Sequence, residues 1–150
     1  IYVSKIGPVN GPNGDIKVDV VENTHEHGKA LRLKYQLQPG GFNGIYINID
    51  DLKLTRSGKL VLDIKGDDTI GIPEKIKIEL HFKGSSWPYP VIEVSESNSD
   101  WKHIEIDLSE LVPQLPEEFE LEQIAIIFET DKVGNNEGAI LIDNIGFIAY

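Results

Sequence analysis

The chain is a succession of short segments in which apolar and polar residues alternate. Ala30–Leu37 shows the pattern clearly, with Leu31 and Leu33 on one face and Arg32 on the other. A period of two residues is typical of β-strands that bury one face and expose the other. It predicts eight main strands near residues 30–37, 45–49, 60–65, 76–83, 90–95, 103–108, 124–129 and 139–147, with two weaker ones at Ile1–Ile6 and Ile16–Val21.

Turn-forming residues separate these segments. Gly, Pro, Asn, Asp and Ser cluster between them, as at Gly11–Gly14, and such clusters favour tight turns. No long stretch has a helical period, and a single helical turn is predicted around Ser109–Val112, ended by Pro113. The sequence therefore predicts an all-β fold, an antiparallel β-sandwich or barrel, in one domain over residues 1–150. Shared strand parity predicts a common core of Leu31, Leu33, Leu62, Ile78, Leu80, Ile106, Ile126 and Phe128.

Charge and composition narrow the classes of function. The 14 Lys and Arg residues against 25 Asp and Glu residues give a net charge of -11, which argues against nucleic acid and against an anionic membrane surface as partners. No apolar run of the sequence is long enough to span a membrane, and we expect it to contain no signal peptide. The absence of Cys excludes disulfides, thiol catalysis and thiolate metal sites.

Two further features of composition concern the origin of the chain. It contains no Met, even at its first position, so we expect it to be a module cut from a longer protein. Lys and Glu dominate the charged residues, alongside many Ile residues, which favours a thermophilic source.

Five segments have distinctive sequences that follow one another in a fixed order. They are Gly28–Leu33, Gly41–Ile47, Leu60–Asp67, Asp100–Leu108 and Ile140–Phe147. In this order they resemble the strands of bacterial carbohydrate-binding modules with a β-jelly-roll fold. The resemblance implies a non-catalytic, secreted, monomeric module. Such a module targets a covalently linked glycoside hydrolase to a plant-type polysaccharide such as β-glucan, mannan or β-1,4-galactan.

The jelly-roll order assigns the strands to two sheets. The strands near 45–49, 124–129, 76–83 and 90–95 are expected to form the sheet that is often concave and carries the sugar groove in such modules. Alternation then places Tyr46, Asn48, Lys77, Glu79, His81, Val91, Glu93, Gln123, Ala125 and Glu129 on its outer face. Arg32, Lys34 and Gln36 fall on the opposite sheet.

Aromatic side chains are the main candidates for contact with sugar, because a flat ring covers the apolar face of a pyranose while polar neighbours bind its hydroxyls. Trp87 lies in a Gly/Ser/Pro loop and is predicted to be the stacking platform. Tyr46 and Tyr89 are candidates for which packing against neighbours is the alternative, and packing is the favoured interpretation of Phe42 and Trp101. The predicted carbohydrate-binding residues are Trp87, Tyr46, Asn48, Glu79, His81 and Tyr89.

The resemblance also implies a structural Ca²⁺ held by oxygen ligands. Asp143 matches the Asp of the closing strand in such modules, and Glu22 with main-chain oxygens near His27 and Lys29 is the expected complement. The alternative is that Asp143 binds only backbone groups. His25 and His27, which flank Glu26, lack a third convergent ligand and do not predict a transition-metal site.

Two other classes of function remain open. Glu105, Asp107 and Glu110 resemble the Glu-x-Asp-x-x-Glu signature of jelly-roll β-glucanases, whose retaining mechanism needs two carboxyl groups about 5–5.5 Å apart. Leu111-Val112-Pro113 follows where that signature has Gly or Gln, and the motif falls on the sheet opposite the groove. The third class is a structural β-sandwich that docks another protein. Clustering of Trp87, Tyr46 and His81 on one surface would favour sugar binding over docking.

Overall fold

The computed structural model describes residues 6–22 and 28–149. Within these residues the chain forms ten β-strands and two single-turn helical segments. In chain order they are β1 (Ile6–Asn10), β2 (Gly14–Glu22), β3 (Lys29–Leu37), β4 (Phe42–Thr55), β5 (Lys59–Gly66), β6 (Ile76–Phe82), β7 (Val91–Val94), β8 (Lys102–Asp107), a 3-10 turn (Leu108–Leu111), β9 (Glu118–Glu129), α1 (Thr130–Val133) and β10 (Glu137–Ile148). Neither helical segment is long enough to cross a bilayer.

The strands form two five-stranded antiparallel sheets, in the orders β1-β4-β9-β6-β7 and β2-β3-β10-β5-β8. This arrangement confirms the predicted β-sandwich with jelly-roll topology and the predicted partition of the eight main strands. β1 is an additional edge strand of the first sheet, and β2 is an additional edge strand of the second. β2 contains the weaker strand predicted at Ile16–Val21, and β1 begins only at Ile6, so most of the strand predicted at Ile1–Ile6 lies outside the described residues.

The two sheets share one apolar core. Seven of the eight predicted core residues are buried, and Ile106 is half-buried because β8 is an edge strand. Tyr35 of β3 and Phe128 of β9 join the sheets through stacked rings whose centroids are 4.5 Å apart. The Tyr35 hydroxyl donates a hydrogen bond to Oδ1 of Asn135, and burial raises the pKa of that hydroxyl.

The predicted helical turn is also present. It occupies Leu108–Leu111, directly after β8, and buries Leu108 and Leu111. The turn ends before Pro113, whose ring does not fit a continuing helix.

Candidate functional site

The outer face of the first sheet brings four of the predicted binding residues together. Tyr46 of β4 lies directly opposite Ala125 of β9, and Ala125 lies opposite Glu79 of β6. In the next row, Asn48, Gln123 and His81 are opposed in the same way. Directly opposed residues of antiparallel strands point to the same face, so these side chains share one surface. We call it the β9 face, formed by Tyr46, Asn48, Lys77, Glu79, His81, Gln123, Ala125 and Glu129.

An amide pair forms one part of the β9 face. Nε2 of Gln123 donates a hydrogen bond of 3.0 Å to Oδ1 of Asn48. Each amide has one carbonyl and one NH₂ group, so this bond leaves the Asn48 NH₂ group and the Gln123 carbonyl to bind hydroxyls. The pair therefore presents a donor and an acceptor beside the small Ala125.

A row of interacting charged and polar side chains runs along β6. The Lys77 ammonium lies 2.7 Å from Oε1 of Glu129 and 3.3 Å from Oε2 of Glu79. The other oxygen of Glu79 lies 3.1 Å from Nε2 of His81. Burial lowers the pKa of Lys77, but the hydrogen bonds and charges of Glu129 and Glu79 outweigh it and raise that pKa. These contacts hold the side chains of Lys77, Glu79 and His81 in place, so they present fixed polar atoms to a ligand.

The two remaining predicted residues lie in the loop between β6 and β7. The Tyr89 ring stacks on the ring of His81 with centroids 3.5 Å apart and planes at 14°, so Tyr89 borders the β9 face. Trp87 stands two residues earlier and is 79% exposed. The exposure of an indole of this size agrees with the interpretation of Trp87 as a ligand platform rather than as a packing residue.

A pocket of about 550 Å³ lies at another part of the molecule, around the last residues of β4 and the first residues of β9. Lys53 and Lys83 flank it, and both approach the carboxylate of Glu120, at 4.0 and 3.5 Å. None of the six predicted binding residues lines this pocket. We assign the candidate site to the β9 face because the convergent polar and aromatic groups lie there.

The hydrolase motif has unsuitable surroundings on the opposite sheet. Glu105 and Asp107 share the outer face of β8, but the Lys59 ammonium lies 3.5 Å from Glu105 and 3.9 Å from Asp107. The hydrogen bonds of His103 and then of Lys59 lower the pKa of Glu105, and both contacts engage the carboxylate that would have to act as the nucleophile. Glu110 lies in the 3-10 turn rather than on a strand bulge.

The same face contains a histidine that offers a direct check of these electrostatics. Nδ1 of His103 lies 2.7 Å from Asp63, and Nε2 lies 3.4 Å from Glu105. The hydrogen bonds to Asp63 and then to Glu105 raise the pKa of His103.

We expect Asp63→Asn to lower the pKa of His103 toward the usual value of histidine. Since that pKa is raised in the folded state, the stabilisation by Asp63 is complete below the unfolded-state pKa and is lost as the pH rises through the folded-state pKa. NMR titration of the histidine ring protons measures the shift, with His103→Asn to assign the resonance. An unchanged His103 pKa in Asp63→Asn would contradict the described contact.

The predicted metal ligands lie apart in the fold. Asp143 is half-buried on the outer face of β10 and accepts a hydrogen bond of 2.9 Å from the backbone N–H of Asn144. The register of β2, β3 and β10 places Glu22 in the row that faces the opposite sheet, so Glu22 and Asp143 have opposite parity. In the part of the chain that the structure describes, no three His, Asp or Glu side chains converge on a metal position. His25 and His27 lie outside that part.

Strand alternation did not reveal the contribution of β1. Gly7 and Val9 of this edge strand lie directly opposite Tyr46 and Gly44 of β4, which extends the β9 face by one strand. The glycines at positions 7 and 11 are the sequence feature that could have indicated this contribution. The alternation within so short a strand does not identify the strand with which it pairs.

No protein-family model matches this chain, and no curated protein sequence matches it significantly. Solved structures do match. The family 11 carbohydrate-binding module of a cellulosomal cellulase of Clostridium thermocellum superposes with a TM-score of 0.74 at 19% identity, covering 97% of this chain and 88% of that one. A second structure of a family 11 module from the same organism, in complex with a β-1,3-1,4-mixed-linked tetrasaccharide, has a TM-score of 0.72 at 20% identity over 97% of this chain and 89% of that one.

An enzyme is also among the matching structures. A β-1,2-glucanase from Parabacteroides distasonis superposes with a TM-score of 0.72 at 16% identity, over 97% of this chain but only 23% of that one. At these identities the likeness establishes the fold: the chain has the β-jelly roll found in carbohydrate-binding modules.

Proposed function

We propose that this domain is a non-catalytic carbohydrate-binding module that holds an attached glycoside hydrolase against a plant-type polysaccharide. The candidate ligands are β-glucan, mannan and β-1,4-galactan. The observation that carries the proposal is the β9 face, where Tyr46, Asn48, Glu79 and His81 lie together and Tyr89 stacks on His81. The exposed Trp87 lies in the same loop as Tyr89. The match to carbohydrate-binding modules over most of both chains supports it.

The chemistry of the β9 face fits an uncharged glycan. Exposed aromatic rings cover the apolar faces of sugar rings, and the paired polar groups bind hydroxyls in fixed directions. Discrimination between epimers follows because a misplaced hydroxyl leaves a polar group of the protein without a partner. An open sheet face leaves much of the ligand hydrated, so a modest affinity is expected.

The proposed role of the module is to raise the local concentration of an enzyme. A tethered catalytic domain meets its polysaccharide at an effective concentration set by the linker, without any change in its chemistry. We propose accordingly that the module is secreted, is covalently linked to a catalytic domain and acts as a monomer.

A glycan microarray tests the proposed function. We expect selective binding to one class of plant-type β-glycan and no reducing sugar released by the isolated domain. Release of sugar would favour the Glu105, Asp107 and Glu110 hydrolase. Binding to no glycan would favour the protein-docking sandwich.

We also propose a structural Ca²⁺ bound by Asp143 with oxygens of the early chain. The half-buried carboxylate of Asp143 supports this proposal, since an acidic side chain in an apolar strand requires polar partners. Glu22 does not fit it, because its strand parity directs it to the other face. Main-chain oxygens are therefore the more suitable complement.

If calcium binds only the folded state, its removal lowers the melting temperature by mass action. We expect EDTA to lower the Tm of the wild-type domain and to leave the Tm of Asp143→Asn unchanged. Differential scanning calorimetry with and without added CaCl₂ measures both. Identical wild-type melting curves under the two conditions would exclude a stabilising calcium ion.

A further inference from the structure

The side chain of Tyr46 extends over the neighbouring edge strand. A methyl group placed on Gly7 of β1 would lie 2.2 Å from both Cζ and Oη of Tyr46, so the far end of the ring occupies the space above this glycine. Neighbouring strands are about 4.8 Å apart, so a ring that reaches the next strand lies along the sheet instead of standing on it. Gly7, which has no side chain, thus leaves the space that the Tyr46 ring occupies.

Phe42, which lies four residues before Tyr46 on β4, repeats the arrangement. A methyl group on Gly11 would lie 2.3 Å from the backbone oxygen of Phe42 and 2.6 Å from Cδ2 and Cε2 of its ring, and 39% of Phe42 remains exposed. Between the two rings the glycine is on β4 and the larger side chain is on β1, because Val9 of β1 lies opposite Gly44 of β4.

β1 and the Gly11 that follows it are therefore complementary to three successive outward positions of β4. Glycine on one strand faces a large side chain on the other, so Phe42, Val9 and Tyr46 form a continuous apolar strip. Aromatic side chains that cover a glycine on the adjacent strand are a known means of completing a sheet surface. Tyr46 is half-buried and Phe42 is 39% exposed, and the Asn48 and Gln123 amides lie in the next outward row beyond Tyr46.

We propose that Gly7 and Gly11 are positioning residues that lay Tyr46 and Phe42 flat, and that these two rings form a second stacking platform for the glycan. The proposal rests on the proposed sugar-binding function and extends it to β1 and Phe42. The ligand contacts this strip through the apolar faces of its sugar rings and bonds its hydroxyls to the neighbouring amides. The exposed Trp87 of the β6–β7 loop is the first platform of the proposed site.

The Gly7→Ala variant tests directly whether Gly7 positions the Tyr46 ring. Its methyl group meets only the tip of a movable side chain, so the Tyr46 ring is displaced while the backbone is kept. We expect about a tenfold loss of affinity, similar to that of Tyr46→Ala. In the Tyr46→Ala background, the same Gly7→Ala change should cost nothing further, because it acts through that ring. Phe42→Ala should weaken binding independently.

The measurement is isothermal titration with tetrasaccharides of mixed-linked β-glucan, mannan and β-1,4-galactan. Gly146→Ala is the matched control, since a methyl group there meets nothing within 4 Å, and it should bind as the wild type does. Melting curves confirm that each variant is folded. If the wild type binds and the Gly7→Ala and Phe42→Ala variants bind with the same affinity, this inference is wrong while the proposed function stands. Failure of the wild type to bind any of the three sugars would overturn the proposed function together with it.

Discussion

Trp87→Ala is expected to abolish most glycan binding while leaving the melting temperature nearly unchanged. The indole is 79% exposed, so its removal creates no cavity and costs the folded state little. As a flat platform for a sugar ring it is expected to contribute about 2 kcal/mol, or roughly a 30-fold change in Kd. Isothermal titration and thermal melting of the same sample separate the two effects. Unchanged affinity would remove Trp87 from the site.

Trp101→Ala is the matched comparison, because it removes the only other indole of the chain. Trp101 is partly buried just before β8, on the sheet opposite the β9 face. We expect a lowered melting temperature with glycan affinity retained. A variant that melts normally and fails to bind sugar would show that the two tryptophans have the reverse roles.

Phe128→Ala is expected to be the most destabilising of the substitutions considered for this domain. Phe128 is fully buried, and its ring stacks on Tyr35 of the other sheet at 4.5 Å. Deleting a buried aromatic side chain costs the transfer free energy of the lost atoms and leaves a cavity, together about 3–5 kcal/mol. Urea unfolding followed by tryptophan fluorescence measures the loss in the free energy of unfolding.

The control for Phe128→Ala is Val91→Ala on the outer surface of β7. Val91 is partly exposed, and surface substitutions of this kind change stability by about 0.5 kcal/mol or less. Equal destabilisation by the two variants would contradict the described core between the sheets.

Alternation along the strands was sufficient to predict which side chains of the β9 face point outward. Tyr46, Asn48, Glu79 and His81 are where the two-residue period places them, because one slip of register would have exposed the whole apolar row. The jelly-roll order then supplied the pairing of the strands. Local pattern and strand order together therefore define most of this face.

The remaining features depend on contacts between residues far apart in the chain. Lys59 reaches Glu105 and Asp107 only because β5 pairs with β8, and no property of the acidic motif reveals that cation. The position of the Tyr46 ring over Gly7 likewise requires the pairing of β1 with β4. A strand of five residues has too few positions to specify its partner or register from sequence.

The β9 face is expected to bind a neutral β-glycan without cleaving it. Titration of the wild-type domain with soluble β-glucan, mannan and β-1,4-galactan, followed by a reducing-sugar assay of the same samples, tests it most directly. We predict saturable heat with at least one of these polysaccharides, loss of that heat in Trp87→Ala, and no release of reducing ends. Absence of binding to all three, or hydrolysis of any of them, would contradict the claim.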